Sequence, residues 1–196
     1  MSSLMDYTKL CELVSSMEKE SRYIHSQGVA EVASALLERF IDDPTPGLYT
    51  GIFHDAYRYM DGAELLSICK EEKIEISKEE EENPMLLHGA VAAIRFPSVV
   101  GPAPISWLKA MRHHTLGSVD MGIIGAALYI ADYTEPGRKH ITAEERTRIY
   151  TKRTLEEMVL AILYREKQYF AKIDRPIASR TQELFTFLEG GGRFEL

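Results

Sequence analysis

The 196-residue sequence is poor in cysteine and lacks long apolar runs. Its 2 cysteines, Cys11 and Cys69, are too few for a disulfide framework and have no C-x-x-C spacing. No apolar stretch reaches the ~20 residues that a membrane-spanning helix needs, and the N-terminus has no basic segment leading into an apolar one. We therefore expect a cytoplasmic protein that is neither secreted nor inserted in a membrane.

Positive charge is scarce relative to negative charge. The chain has 23 lysines and arginines against 30 aspartates and glutamates, which gives a formal net charge of -7. This balance argues against general binding to nucleic acids or anionic membranes. A small phosphorylated substrate still fits, because local cations or a metal ion can override the overall field.

Strand-type alternation is nearly absent, whereas apolar residues recur at helical spacing along almost the whole chain. The pattern therefore predicts an all-α fold. The predicted helices cover residues 6–19, 22–40, 47–57, 62–73, 84–95, 104–113, 120–134, 143–150, 154–173 and 180–188.

Several local signals mark the ends of these helices. Residues 97–104 contain three prolines and a glycine and are predicted to form a loop. The acidic run 77–82 is predicted to be a solvated loop or a frayed helix start. Thr142-x-x-Glu145 and Ser179-x-x-Gln182 match the capping box, in which side chains bind free N–H groups at a helix start.

Histidines and aspartates with metal-ligand chemistry lie within the apolar helical segments. Asp132 follows the apolar run 125–131, and burying an ionised carboxylate there costs several kcal/mol unless it is paired or bound to a cation. His54 and Asp55 are adjacent, so on a helix one site uses both only at the edge between their directions. Any one such histidine is more often a core or surface residue, but four histidines and two aspartates on several predicted helices are harder to explain in that way. The set is His25, His54, Asp55, His88, His114 and Asp132.

The order of these residues resembles that of the HD-domain phosphohydrolases, whose helical fold holds one or two metal ions. Arg112-His-His-Thr-Leu-Gly117 resembles a His-Thr-x-Gly element, and Ala131-Asp-Tyr-Thr-Glu-Pro-Gly-Arg138 resembles an Ala-Asp-x-x-Glu-Pro-x-Arg element. With both elements, the sequence resembles the YqeK family of symmetrical diadenosine tetraphosphate hydrolases. The resemblance covers about residues 20–140, the expected metal-site core. Since the chain has no internal repeat, long linker or composition step, we expect a single HD domain over residues 1–196, with C-terminal helices over 141–188 packing on the core. Residues 189–196 are the expected tail, which is loose over 193–196.

The resemblance also implies a dinuclear metal centre. His25, His54, Asp55 and Asp132 would hold one ion, and Asp55 would bridge to a second ion held by His88 and His114. Imidazole and carboxylate ligands suit first-row divalent metals, and the absence of cysteine ligands argues against a structural zinc site with sulfur ligands. We predict two divalent ions, with iron favoured and manganese, nickel, zinc or magnesium as alternatives.

Arginines near the ligands are the predicted phosphate-binding residues. Arg58 lies four residues after His54 and is expected to act with Asp55 in catalysis; the alternative is an ordinary surface ion pair. Arg138 is the second phosphate-binding candidate, while Arg22 either contacts substrate or orients an acidic ligand.

Neighbouring residues are assigned smaller parts. His113 and Thr115 are expected to contact phosphate, and His140 is expected to be a surface residue. Glu135 is either the acceptor for a ligand histidine's N–H or a solvated acid. Three tyrosines either stack on a base or fill the core, namely Tyr57, Tyr59 and Tyr133.

The function expected from these features is metal-dependent hydrolysis of diadenosine tetraphosphate to two ADP. The expected small-molecule partner is a dinucleoside polyphosphate or a nucleoside diphosphate, with no nucleic acid or membrane partner. The alternatives are an HD-type nucleotidase or alarmone hydrolase, or a non-catalytic nucleotide-sensing module. Apolar residues of the 154–173 helix serve either the core or a homodimer face, namely Leu155, Met158, Val159, Ile162 and Leu163.

Overall fold

The structure is a computed structural model that describes residues 3–195, and helices cover most of this range. No strand occurs among these residues, which confirms the all-α prediction. A 3-10 helix over Pro84–Leu87 precedes the sixth of the eleven α-helices described. These are α1 (Tyr7–Met17), α2 (Glu20–Ile41), α3 (Thr45–Phe53), α4 (Gly62–Glu71), α5 (Lys78–Glu82), α6 (His88–Val99), α7 (Ile105–His113), α8 (Gly122–Thr134), α9 (Ala143–Tyr150), α10 (Leu155–Lys172) and α11 (Ser179–Glu189).

Helices α2, α3 and α8 pack together at the centre of the fold. The contact between α2 and α3 depends on glycine, because a Cβ at Gly51 would lie 2.5 Å from Ala30 Cα. Helix α8 is apolar on nearly all sides, as expected of a helix surrounded by others. This arrangement fixes the C-terminal end of α3 against α2 and α8.

Helix α10 packs on α8 and closes the core from one side. The sequence left open whether five apolar residues of α10 belong to the core or to a dimer face. All five are buried within the chain, so they are core residues. No helix within residues 3–195 is both long enough and apolar enough to cross a membrane.

The acidic run 77–82 is more ordered than a solvated loop. Residues Lys78–Glu82 form α5, and Ser77 and Glu80 make a capping box at its start. Glu80 is fully buried and accepts hydrogen bonds from Arg112 at 2.5 and 3.0 Å. The pair joins α5 to α7. The acidic pattern is local and does not show this long-range contact, which is why it suggested a solvated segment.

Three helix boundaries differ from the sequence prediction. Helix α3 ends at Phe53 and gives way to turns, rather than running to residue 57. Pro97 lies inside the last turns of α6, so the loop begins after Val99 instead of at residue 97. The capping box at Thr142 is present, but the one predicted at Ser179 is not, because α11 begins one residue earlier and has Ala178 as its N-cap.

The C-terminal segment is packed rather than loose. Phe194 is buried, and its backbone N–H donates to Glu156 at 3.1 Å. The carbonyl of Glu195 accepts from the Ile123 N–H at 2.8 Å, at the start of α8. The expectation of a loose tail is therefore wrong up to residue 195, and Leu196 lies outside the described residues.

The buried pair of Arg112 and Glu80 gives a stability prediction. Arg112→Met leaves the Glu80 carboxylate buried without a partner, and we expect the free energy of unfolding to fall by ~3–5 kcal/mol. Arg148→Met is the matched control: it breaks an exposed pair with Glu144 and is expected to cost less than ~0.5 kcal/mol. Urea denaturation of the metal-free proteins measures both changes, and equal losses would contradict the assignment.

Candidate metal centre

All six predicted ligands converge on one buried cluster. His25 lies in the second turn of α2, His54 and Asp55 directly follow α3, and His88 begins α6. His114 follows α7, and Asp132 lies near the end of α8. Three overlapping groups of these side chains have ligand atoms within 4.8 Å of one another. The fold therefore brings together the six residues that the sequence analysis grouped as predicted ligands.

The two oxygens of Asp55 face different parts of the cluster. Oδ2 lies 3.8 Å from His25 Nε2 and 3.6 Å from His54 Nε2. Oδ1 lies 2.7 Å from His88 Nε2 and 3.8 Å from His114 Nε2. Asp55 thus lies between two sets of histidines, and ligand atoms of His54, His114 and Asp132 also lie within 4.8 Å of one another across this division.

Asp132 lies beside His25 and His54. Its Oδ1 lies 3.1 Å from His25 Nε2 and 3.9 Å from His54 Nε2. The need for a partner inferred from the apolar run before Asp132 is met by these histidines and by the Arg138 guanidinium.

Each ligand histidine is oriented by a hydrogen bond from its Nδ1. His54, His88 and His114 donate to backbone carbonyls three residues earlier, at 2.7, 2.6 and 2.8 Å. His25 lies 3.1 Å from a Glu135 carboxylate oxygen, so the proposed acceptor role of Glu135 is confirmed. Because carbonyl oxygens only accept, the contacts of His54, His88 and His114 place the proton on Nδ1 and turn their Nε2 lone pairs toward the cluster.

The donor set fits a divalent cation. His54 Nε2 is buried and has no hydrogen-bond partner among the described residues. His88 Nε2 lies 2.7 Å from Asp55 Oδ1 and 3.1 Å from His114 Nε2, although all three atoms carry lone pairs when Nδ1 holds the proton. Such contacts are repulsive unless positive charge lies between them, and imidazole with carboxylate is a ligand set for first-row divalent metals.

Close packing supports His114 in this position. A Cβ on Gly89 would lie 2.6 Å from His114 Nδ1 and 2.4 Å from the Met111 carbonyl. Any larger residue at 89 would push α6 away from α7 and disturb the bond that orients His114. The glycine in the sequence His88-Gly89 is therefore part of the support for the ligand.

Two arginines bind the carboxylates of the cluster. Arg22 donates to Asp55 Oδ2 at 2.9 Å, which is the orienting role that the sequence left open. Arg138 binds both the carboxylate and the backbone carbonyl of Asp132. Burial by itself would raise the pKa of Asp132, but the hydrogen bond with His25 and the charge of Arg138 hold it well below its usual value.

The remaining predicted contact residues lie at different distances from the cluster. Arg58 is half-buried, with Nη1 3.5 Å from the Met85 carbonyl, and it has no ion pair among the described residues. It is thus beside His88 and not in a surface ion pair. Thr115 lines a cavity next to the cluster, whereas His113 lies 3.3 Å from Arg180 on α11.

Two cavities reach the cluster. The α8–α10 cleft has a volume of about 570 Å³ and borders His114 and Asp132. A second cavity, which we call the Arg22 groove, has a volume of about 390 Å³ and borders His25. The two share Arg138 and His140 as lining residues.

The sequence analysis missed most of the residues that line the cleft. Residues of α10 carry no motif, and only the packing of α10 on α8 brings them to the site. They include Arg165, Glu166, Tyr169 and Lys172. His140 is exposed as expected, but it also packs edge-on against Tyr133, with ring centroids 4.5 Å apart, and lines both cavities.

The three tyrosines separate into two kinds. Tyr57 packs against Phe53 in the core, with ring centroids 6.1 Å apart. Tyr133 lines the cleft, and Tyr59 lines the Arg22 groove with 49% of its surface exposed. The basic run over residues 137–140, which the sequence analysis did not use, is a local pattern that could have pointed to this part of the site.

The fold is that of a solved HD superfamily hydrolase. The crystal structure of a predicted HD superfamily hydrolase involved in NAD metabolism, from Clostridium acetobutylicum, superposes with a TM-score of 0.86 at 26% identity, over 96% of this chain and 100% of that one. The fold and the buried His/Asp cluster together define an enzyme of the HD hydrolase class that binds divalent metal.

Curated relatives make the resemblance more specific. The chain is similar to proteins named symmetrical bis(5'-nucleosyl)-tetraphosphatase, at 29% identity over 172 residues in Bacillus subtilis, covering 88% of this chain and 91% of the relative. The corresponding protein of Halalkalibacterium halodurans is 28% identical, over 88% of this chain and 91% of its own length. That of Staphylococcus aureus is 26% identical over 93% of this chain and 94% of its own length. No protein-family model matches the chain.

The pKa values of the histidines predict how metal binding depends on pH. Burial lowers the pKa of His54, and burial with neighbouring histidines lowers that of His114 to about 3. Burial also acts to lower the pKa of His25, but the hydrogen bond and charge of Asp132, helped by Glu135, raise it above 6.5. We therefore expect metal affinity to begin falling as the pH drops through the raised pKa of His25, because the ligand must be neutral to bind metal.

Glu135→Gln tests the origin of this pH dependence. The substitution removes one negative partner of His25, so the fall in metal affinity should shift to lower pH. Metal titrations between pH 5 and 8, at intervals of ~1 pH unit around the pKa of free imidazole, measure the shift. An unchanged pH profile would contradict the role given to His25 and Glu135.

Proposed function

We propose that this protein is a metal-dependent phosphoanhydride hydrolase that cleaves diadenosine tetraphosphate symmetrically into two ADP molecules. The names of the curated relatives support the substrate. The observation that carries the proposal is the position of Asp55, whose two oxygens face separate sets of histidines.

We further propose that the centre holds two ions, with iron favoured. His25, His54 and Asp132 would hold one ion, His88 and His114 the other, and Asp55 both. Two divalent ions in such a centre activate water and neutralise charge on the attacked phosphoryl group and the leaving oxygen. The all-nitrogen and oxygen donor set supports iron or manganese, and nickel, zinc and magnesium remain the alternatives.

The chain's own residues hold and orient the substrate. Arg138 and Arg22 lie at the border of the cluster, where their guanidinium groups are placed for the phosphates that flank the scissile bond. Arg58 lies beside His88. Phosphate contacts by His113 and Thr115 belong to the same proposal, although the contact of His113 with Arg180 draws its ring toward α11.

The leaving group explains why no protein acid is required. Cleavage at the central anhydride releases ADP, whose terminal phosphate is weakly basic and whose charge the arginines, together with bound divalent ions, would neutralise. The residues at the centre therefore supply ligands and positive charge rather than a proton. A role as ligands rather than as proton donors fits histidines whose lone pairs point into the cluster.

Product analysis with Asp55→Ala tests the proposed function. Loss of the shared carboxylate should remove most of the bound metal and reduce hydrolysis by at least ~1000-fold, as expected when the charge-stabilising machinery is lost. Asp120→Ala, at an exposed aspartate in a turn, is the control and should keep both properties. The wild-type protein should release ADP alone, whereas inorganic phosphate as the product would favour the nucleotidase alternative.

Arg58→Gln separates phosphate binding from metal binding. Because Arg58 is beside His88 but offers no metal ligand, the variant should keep its metal and lose ~100-fold in kcat/KM. Arg95→Gln, at an exposed arginine on α6, is the matched control. Loss of metal from Arg58→Gln would show instead that Arg58 supports His88.

The cellular setting is part of the proposal as well. We propose a cytoplasmic enzyme that acts as one domain over residues 1–196, and two free cysteines among the described residues support a reducing compartment. A homodimer stays a prediction, since the apolar residues of α10 that were considered for it are buried in the core.

A further inference from the structure

The Arg22 groove and the α8–α10 cleft meet at the metal centre. The groove reaches the cluster at His25, and the cleft reaches it at His114 and Asp132. Arg138 and His140 line both, so they form the boundary between the two cavities. A molecule that lies across the cluster would extend into both spaces.

The groove is lined by more cationic than acidic side chains. Arg22, Arg138 and Lys139 line it, and Glu135 is its acidic residue. The guanidinium groups of Arg22 and Arg138 are paired with the Asp55 and Asp132 carboxylates at the cluster. The Glu135 carboxylate is engaged with His25 and with the Gly137 N–H. Lys139 is exposed and has no ion pair among the described residues, so its charge is available to a ligand.

The groove also offers an aromatic surface. Tyr59 lines it and exposes 49% of its surface. The Lys19 ammonium lies 4.7 Å from the centroid of the Tyr59 ring. A ring held in this way beside cations provides a stacking surface for a nucleobase next to a binding place for phosphate.

We propose that the Arg22 groove binds the second nucleoside diphosphate half of the substrate, while the first half occupies the α8–α10 cleft. The inference rests on the proposed function, because symmetrical cleavage places the scissile bond at the metal centre and sends two equal halves away from it. The groove volume of about 390 Å³ lies within the range of small-molecule sites.

The two halves of the substrate therefore meet unlike surroundings. The cleft has about 570 Å³ and several aromatic side chains, among them Tyr133, Tyr169 and Phe170. The groove is smaller and has Tyr59 as its aromatic residue. We expect ADP to bind the groove more weakly than the cleft, because less apolar surface is covered there.

Tyr59→Ala in the metal-loaded enzyme tests the proposal. Calorimetric titration with ADP should show two unequal sites per wild-type chain and loss of the weaker one in the variant. The KM for diadenosine tetraphosphate should rise ~10-fold, as expected for loss of one stacking contact. Adenosine 5'-tetraphosphate lacks the second nucleoside and so cannot make the stacking contact with Tyr59. Its KM in the variant should therefore stay within ~2-fold of the wild-type value.

Controls and outcomes separate this inference from the function on which it rests. Tyr164→Ala removes another exposed tyrosine, which lines neither cavity, and should behave as wild type. If the wild-type enzyme cleaves diadenosine tetraphosphate but Tyr59→Ala keeps its KM and both ADP sites, the groove assignment is overturned and the function stands. If the wild-type enzyme does not cleave the substrate, the proposed function fails, and the ADP titration alone decides whether Tyr59 forms a nucleotide site.

Discussion

The structure depends on the concentration of six metal-ligand side chains in one mostly buried space. Four imidazole lone pairs and two carboxylates repel one another there unless positive charge balances them. Arg22 and Arg138 provide part of that charge from the protein side. Because five segments from different parts of the chain converge on one point, the rest of that charge has to come from a bound cation, and the centre is suited to cation binding rather than to serving as core.

This requirement also reconciles the acidic chain with a polyanionic substrate. A formal net charge of -7 describes the whole surface and disfavours large nucleic acids. At the site, however, arginines and two lysines line the cavities together with acidic residues, beside the proposed metal ions. Since screening confines such fields to about 8 Å at physiological salt, the local charge governs a small ligand that enters the cavities.

Much of this site was predictable because its signals are local or ordered along the chain. The helical periodicity predicted the fold class, and the order of His25, the His54-Asp55 pair, His88, His114 and Asp132 predicted the ligands. Long-range packing was less accessible. The burial of Glu80 against Arg112 and of Phe194 against the core gives no local pattern, and neither does the arrival of α10 at the cleft.

The ends of helices were the other source of error, with a consequence for the site. His54 and Asp55 were expected inside a helix, where adjacent side chains diverge. Instead α3 ends at Phe53, and the following turns carry hydrogen bonds between residues three apart, as from the Arg58 N–H to the Asp55 carbonyl. Arg58 therefore lies beside His88, rather than one α-helical turn above His54.

The bonds from Nδ1 to a carbonyl three residues earlier make each of three ligands a self-contained unit. His54, His88 and His114 take their hydrogen-bond acceptor from their own stretch of backbone, so their orientation depends on that stretch and on its immediate packing, as at Gly89 beside His114. Only His25 relies on a distant residue, Glu135, for its alignment. During evolution such a centre can persist while most of the surrounding sequence drifts, provided that each short ligand-bearing segment stays intact.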